Sequence, residues 1–243
     1  MASQQNILIT ICARGGSKGI PGKNIKLLGG RTLIDYTIQT AKKFAEKHAV
    51  VITLSTDYED ILRAAETSGL TTDYRRPESL ATDEAGKIDV IRDIVLFEEK
   101  KLGKKFDYVL DLDVTSPLRT LEDLEKAFSM LLENQEAETL FSVNAAARNP
   151  YFNMVEQKEN GFYGLVKKLE HTTLTRQSAP NVYDLNASFY WYRRLFFDSE
   201  LKTPITSKTL IYQMDHICFD LDHMIDFDFL DFLITNRKLN FEL

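Results

Sequence analysis

The sequence predicts an α/β fold: a mostly parallel sheet flanked by helices. Three observations predict it. Short β-rich apolar runs alternate with longer amphipathic ones from residue 6 to residue 145. The first of those runs feeds directly into a glycine-rich loop, and open α/β sheets bind ligands at the carboxyl ends of their strands. The chain has 243 residues, 44% hydrophobic and 27% charged, which suits one well-buried α/β domain and is somewhat short for two.

The elements follow in order. "NILITICA" (6–13) reads as a buried strand. "TLIDYTIQTAKKFAEK" (32–47) places Leu33, Ile34, Ile38, Ala41 and Ala45 on one helical face. "AVVITLST" (49–56) is a second strand, and the helix after it stops at Gly69. Residues 87–101 form another amphipathic helix, 106–114 a strand, 121–134 a helix and 139–145 a strand. The alternation then breaks. Residues 148–184 are rich in proline, tyrosine and phenylalanine, with β-like pieces such as "FYGLVKK". We read about 146–186 as an excursion within a single domain of residues 1–243. It would lid the site or pack on another subunit. "NASFYWYRR" (186–194) resumes as a strand, with Phe189, Tyr190, Trp191 and Tyr192 as packing residues.

The net charge is −6, which argues against a nucleic-acid partner; an anionic ligand needs a local cationic site. Cys12 and Cys218 sit in apolar stretches and suggest buried thiols in a reducing compartment. No signal peptide and no run of membrane-spanning length is visible, so a cytoplasmic location is expected.

"ICARGGSKGIPGKN" (11–24) concentrates four glycines, three basic side chains and a proline. Gly15, Gly16 and Gly19 permit positive φ and close approach of backbone N–H groups to an anion. Arg14, Lys18 and Lys23 add charge suited to a polyphosphate. The spacing fits neither a Walker A motif, since Gly22–Lys23 is followed by Asn24, nor G-x-G-x-x-G. The plain alternative is a solvated turn.

Four stretches, "ICARGGSKGIPGKN", "RRPESLATD" (75–83), "TSPLR" (115–119) and "FDLD" (219–222), in this order and spacing, resemble the acylneuraminate cytidylyltransferases, the CMP-sialic acid synthetases. "DLDVTSPLR", "RNPYFN" and "TRQSAPNVYDLNAS" are similar to the legionaminic acid branch. The resemblance covers nearly the whole chain. It implies a Rossmann-like nucleotidyltransferase fold and a homodimer whose excursion crosses the interface. The implied reaction joins CTP to a nine-carbon 2-keto sugar acid with Mg²⁺, giving the CMP-sugar and pyrophosphate.

The same resemblance implies the site residues. Arg14 and Lys23 match residues that hold the triphosphate, and Ser17 and Asn24 match others lining the nucleotide site. Arg76 and Thr82 fall in the stretch near the cytosine, although "RRPESLATD" alone reads first as a proline-containing surface loop. Asp220 and Asp222 match the metal-binding acids. By residue type they suit hard Mg²⁺, but with Asp215, Asp226, Asp228 and Asp231 nearby they also read as a solvated acidic tail. Asp113 stands where many sialic acid synthetases carry Gln, so it would contact the sugar or bind metal; Asp111 reads as structural. Arg176 would pair with the sugar carboxylate, Gln177 lies beside it, and Asn186 would bond an acyl or hydroxyl group. His48, His171, His216 and His223 show no metal-ligand spacing.

Two rivals of other classes remain at this level. One is a glycosyltransferase using Asp111–Leu112–Asp113; the other is a non-catalytic nucleotide-binding module. Within the family, N-acetylneuraminic and pseudaminic acids are the alternative sugars.

Overall fold

A computed structural model describes residues 5–16, 19–169 and 175–243, with the side chain of Arg176 also left out. Strand β1 (Asn6–Cys12) is buried along its length. A 3-10 turn at Lys23–Ile25 follows, then a small hairpin of β2 (Leu27–Leu28) and β3 (Arg31–Thr32), then α1 (Leu33–Ala45). β4 (Ala49–Ser55), α2 (Glu59–Thr67), α3 (Lys87–Leu102), β5 (Tyr108–Asp113), α4 (Leu121–Glu133) and β6 (Thr139–Ala145) complete the regular alternation. The excursion contains a second hairpin, β7 (Val155–Gln157) and β8 (Tyr163–Leu165). β9 (Tyr183–Arg193), β10 (Thr209–Gln213) and α5 (Met224–Thr235) close the chain.

The main sheet has the order β10-β6-β9-β5-β1-β4. β1 runs parallel to β4 and β5, and β10 parallel to β6. β9 is antiparallel to both of its neighbours. It is a central strand, begins three residues before the expected start at Asn186, and buries Phe189, Trp191 and Tyr192.

Strand alternation divides the core in two. Ile7, Ile9 and Ile11 of β1 face the side covered by α1, α2, α4 and α5, together with Leu110, Leu112, Phe189 and Trp191. Leu8, Val109 and Tyr192 face the other side, where α3 packs Ile88, Ile91 and Val95 on them. By the same parity Thr10, Cys12, Asp111, Asp113 and Tyr190 share the α3 side. The polar residues among them therefore gather under one helix. Both cysteines are free and partly buried. No described helix is long and apolar enough to cross a membrane.

Candidate active site

β1 ends level with β4 and β5: Cys12 is in register with Ser55 and with Asp113. Beyond those strand ends opens a cavity of about 430 Å³. Its wall includes Arg14, Lys23, Asn24, Arg76, Thr82, Asp83, Lys87, Asp113, Thr115 and Asp222. Seven residues of the expected site therefore meet there, drawn from both ends of the sequence.

The glycine loop is held by its neighbours. Gly15 N–H donates to Asp57 (3.0 Å), and the Asn24 side-chain amide donates to the Arg14 carbonyl (2.9 Å). Asn24 is buried, so it fixes the loop as well as facing the cavity. The glycines differ from expectation in use. Among those described in the loop, the left-handed one is Gly22 (φ 62°), whereas Gly15 and Gly19 serve close packing. A Cβ on Gly15 would press on the Tyr58 ring, and one on Gly19 would collide with the Asp222 carbonyl oxygen. Ser17 lies outside the described residues.

The cations have distinct settings. Arg14 reaches Asp83 at 2.6 Å, with both side chains substantially exposed. Lys23 donates to the Leu221 carbonyl at 2.6 Å. Arg76 is buried and bonded twice to Ser55, through its hydroxyl and its carbonyl, each at 2.9 Å. It therefore presents a fixed wall to the cavity.

The acids of "FDLD" lie on irregular chain, not on a strand. Leu221 between them is buried and donates its N–H to the Thr115 carbonyl (2.9 Å). Asp222 is exposed and lines the cavity, while half-buried Asp220 accepts from the Leu221 N–H (2.8 Å). Burial pushes the Asp220 carboxyl up, and the charges of Asp113 and Asp222 add to that.

Asp113 Oδ1 accepts from the Thr115 N–H (2.9 Å) and hydroxyl (2.8 Å). Its Oδ2 meets Lys87 Nζ at 2.6 Å. Burial works to raise the Asp113 carboxyl, but Lys87 and Thr115 outweigh it and bring it down to about 2. Lys87 also ion-pairs with fully buried Asp111 at 2.9 Å. Burial opposes its charge, yet the two carboxylates hold it well above the ordinary lysine value.

The remaining expected residues lie elsewhere. Asn186 is buried within β9 and does not line the cavity. It accepts from the Ser142 hydroxyl (2.6 Å) and donates to Asn144 (2.7 Å) beside a bulge of β6 against β9. Adjacent Ala187 takes φ 58°. The backbone of Arg176 and exposed Gln177 form a 3-10 turn in the excursion; Gln177 does not line the cavity, and the Arg176 side chain lies outside the described residues.

Sequence reasoning missed Lys87 and the buried Arg119. Lys87 carried one signal: a lysine opening a helix opposes the helix dipole, which needs acids in front of it.

A family profile described as cytidylyltransferase matches residues 8–230. A Campylobacter coli relative, "Post-translational flagellin modification protein B", is 39% identical over 235 residues, 96% of this chain and 97% of its own. CMP-N,N'-diacetyllegionaminic acid synthase of Campylobacter jejuni is 39% identical over 238 residues, again 96% of this chain and 97% of its own. Among solved structures, a CMP:2-keto-3-deoxy-manno-octonic acid synthetase complexed with CTP superposes with a TM-score of 0.68 at 15% identity. It covers 96% of this chain and 99% of that one.

Proposed function

This chain belongs to the cytidylyltransferase family and is a nucleotidyltransferase, and on that premise we propose that it joins CTP to a legionaminic-type nonulosonic acid. The products are the CMP-sugar and pyrophosphate. One observation carries the reading: a single cavity brings the cations of the glycine loop to the Asp222 carboxylate. A triphosphate and the hydroxyl that attacks it need both. The full-length likeness to a legionaminic acid synthase supports the choice of sugar.

The 2-hydroxyl oxygen of the sugar acid bonds to the α-phosphorus. The bond from that phosphorus to its bridging oxygen breaks, pyrophosphate takes the electron pair, and the hydroxyl proton passes to water. Positioning and charge neutralisation do most of this work. Arg14 exchanges Asp83 for phosphate oxygens, and Lys23 adds a point charge beside it. Arg76, pinned by Ser55, shapes the nucleotide wall together with Thr82.

Asp220 and Asp222 fit Mg²⁺. They are hard oxygen donors, and burial with the like charges of Asp113 and Asp222 outweighs Thr115 and Lys23 in disfavouring the ionised Asp220, a penalty a bound cation would relieve. No cluster of three metal-type side chains occurs among the described residues. Mg²⁺ commonly takes only one or two carboxylates along with substrate phosphates. When bound it supplies Lewis-acid stabilisation of phosphate charge.

The excursion would complete a homodimer: its hairpin exposes Val155, Phe162 and Tyr163. Sedimentation equilibrium at micromolar concentration should then give twice the chain mass.

The deciding experiment offers CTP and Mg²⁺ with legionaminic, pseudaminic and N-acetylneuraminic acids and follows pyrophosphate. Fastest release with the legionaminic-type acid, alongside CMP-sugar, is expected. A preference for another acid overturns the sugar assignment. Nucleotide binding with no pyrophosphate overturns the reaction.

A further inference from the structure

We infer that Lys87 and Asp113 form a specificity-determining pair that grips one hydroxyl of the sugar acid, with buried Asp111 anchoring Lys87. The inference rests on the reaction proposed above. Both residues line the cavity, whereas Asp111 does not.

Counting donors and acceptors leads to it. A carboxylate offers about four acceptor positions and an ammonium three donors. Thr115 takes two positions on Asp113 Oδ1, and Lys87 takes one on Oδ2. One Asp113 position remains. Of the three Lys87 donors, Asp113 takes one, and Asp111 Oδ2 lies 2.9 Å away as an ion-pair partner without a hydrogen bond, so at least one donor remains. The other Asp111 oxygen is occupied by the Thr10 hydroxyl (2.8 Å). The Tyr190 ring, 4.8 Å from Lys87 Nζ, closes another side.

The wall thus presents one free donor beside one free acceptor, held rigidly from behind. A hydroxyl both donates and accepts, and satisfies the two together. The three charged groups carry one net negative charge, so a second anion is disfavoured there. The sugar is favoured over the base because Thr115, which orients Asp113, is itself tied to the metal-type acids through Leu221. The attacking sugar must sit at that end.

Asp111 and Asp113 would repel each other in Lys87→Met, so the test adds Asp111→Asn/Lys87→Met, which removes the buried charge with its partner. Asp113→Asn and Lys87→Met/Asp113→Asn complete a cycle. KM for the sugar acid and KM for CTP are measured separately, each with the other substrate saturating.

Every variant lacking Lys87 should raise the sugar KM about tenfold or more, the cost of one unpaired buried group, with the CTP KM unchanged. Losses in Lys87→Met/Asp113→Asn should fall well short of multiplying, because both residues hold one hydroxyl. A rise in the CTP KM alone shows that the pair reads the nucleotide and overturns the inference. So does an unchanged sugar KM in Asp111→Asn/Lys87→Met, or fully multiplicative losses. If the parent protein itself releases no pyrophosphate with any sugar acid, the proposed reaction fails and takes the inference with it. An active parent with unaffected variants sinks the inference alone.

Discussion

Replacing Arg119 by Met tests whether the "TSPLR" arginine is a brace or a ligand residue. Arg119 is 1% exposed and absent from the cavity wall. Its guanidinium donates to the carbonyls of Ser116 (2.9 Å), Ser188 (2.5 Å) and Asp113 (2.7 Å) and to the Thr37 hydroxyl (2.6 Å). It thereby ties α1, the end of β5 and β9 together. Burial pulls its pKa down to about 10, which still leaves it charged at neutral pH.

Two effects compete in Arg119→Met. Removing a buried charge recovers desolvation energy, and swaps of buried ion pairs for apolar groups are often neutral or better. Here, however, the partners are neutral acceptors that keep needing donors. Two carbonyls retain one: Ser116 from the Ser188 hydroxyl (3.0 Å) and Asp113 from the Thr37 hydroxyl (3.3 Å). The Ser188 carbonyl loses its shortest contact, and five bonds from a charged donor disappear, the fifth to the Ser188 hydroxyl (3.1 Å). Bonds to charged groups contribute roughly 1.5–3 kcal/mol each before desolvation is subtracted. The net expectation is a loss on the order of 3 kcal/mol, a large part of the usual 5–15. Urea unfolding reads this directly, and Tm should fall by about 6–12 °C. An unchanged urea midpoint with activity abolished would place Arg119 in the chemistry and refute the brace.

Arg14→Ala should cost about 10²–10³ in turnover with native circular dichroism, since its exposed pair with Asp83 contributes about 1 kcal/mol at most; near-parental kcat removes Arg14 from the triphosphate site. Asp222→Asn should shift the Mg²⁺ activation curve to much higher concentration, and superimposable curves for mutant and parent would sink the metal assignment. His216 ion-pairs with Asp123 at 2.9 Å; burial opposes its charge, but the carboxylate wins and raises its pKa above 6.5. The pair therefore stabilises fully below pH 6.5 and less as pH rises through the raised value. The stability gap between parent and His216→Gln should shrink from pH 6 to pH 9, and a constant gap excludes the pair as its source.

The local elements were legible because they rest on local periodicity: β1, α1, β4 and β6 fall within a residue or two of the spans read from hydrophobic spacing. α5 escaped because its apolar residues ring the helix and show no stripe: Phe227 and Leu230 are buried while Ile225, Phe229 and Phe232 are exposed. The direction of β9 was equally hidden, since a buried strand reads the same either way. Of the site residues the resemblance implied, Arg14, Lys23, Asn24, Arg76, Thr82, Asp113 and Asp222 line one cavity. What the sequence patterns hid is pairing across elements. Lys87 meets Asp111 and Asp113 because odd-numbered positions of β5 and the first turn of α3 share a face of the sheet, which no single segment reveals. Asn186 reads as a polar residue in a signature stretch, yet its amide is spent on a β-bulge.

The contact of Gly19 and Lys23 with the Leu221–Asp222 backbone also sets a timetable. Lys23 and Leu221 are 198 residues apart. At about 5–20 residues per second, translation puts roughly 10–40 s between the synthesis of the glycine loop and that of its partner. The emerging chain can lay down β1, β4 and β5 in that interval, with the loop held only by its nearer partners Asn24, Asp57 and Asp83. A nascent chain halted before the "FDLD" segment carries the cations without Asp220 and Asp222. The loop's contacts with residues 221 and 222 form only after that segment has been made.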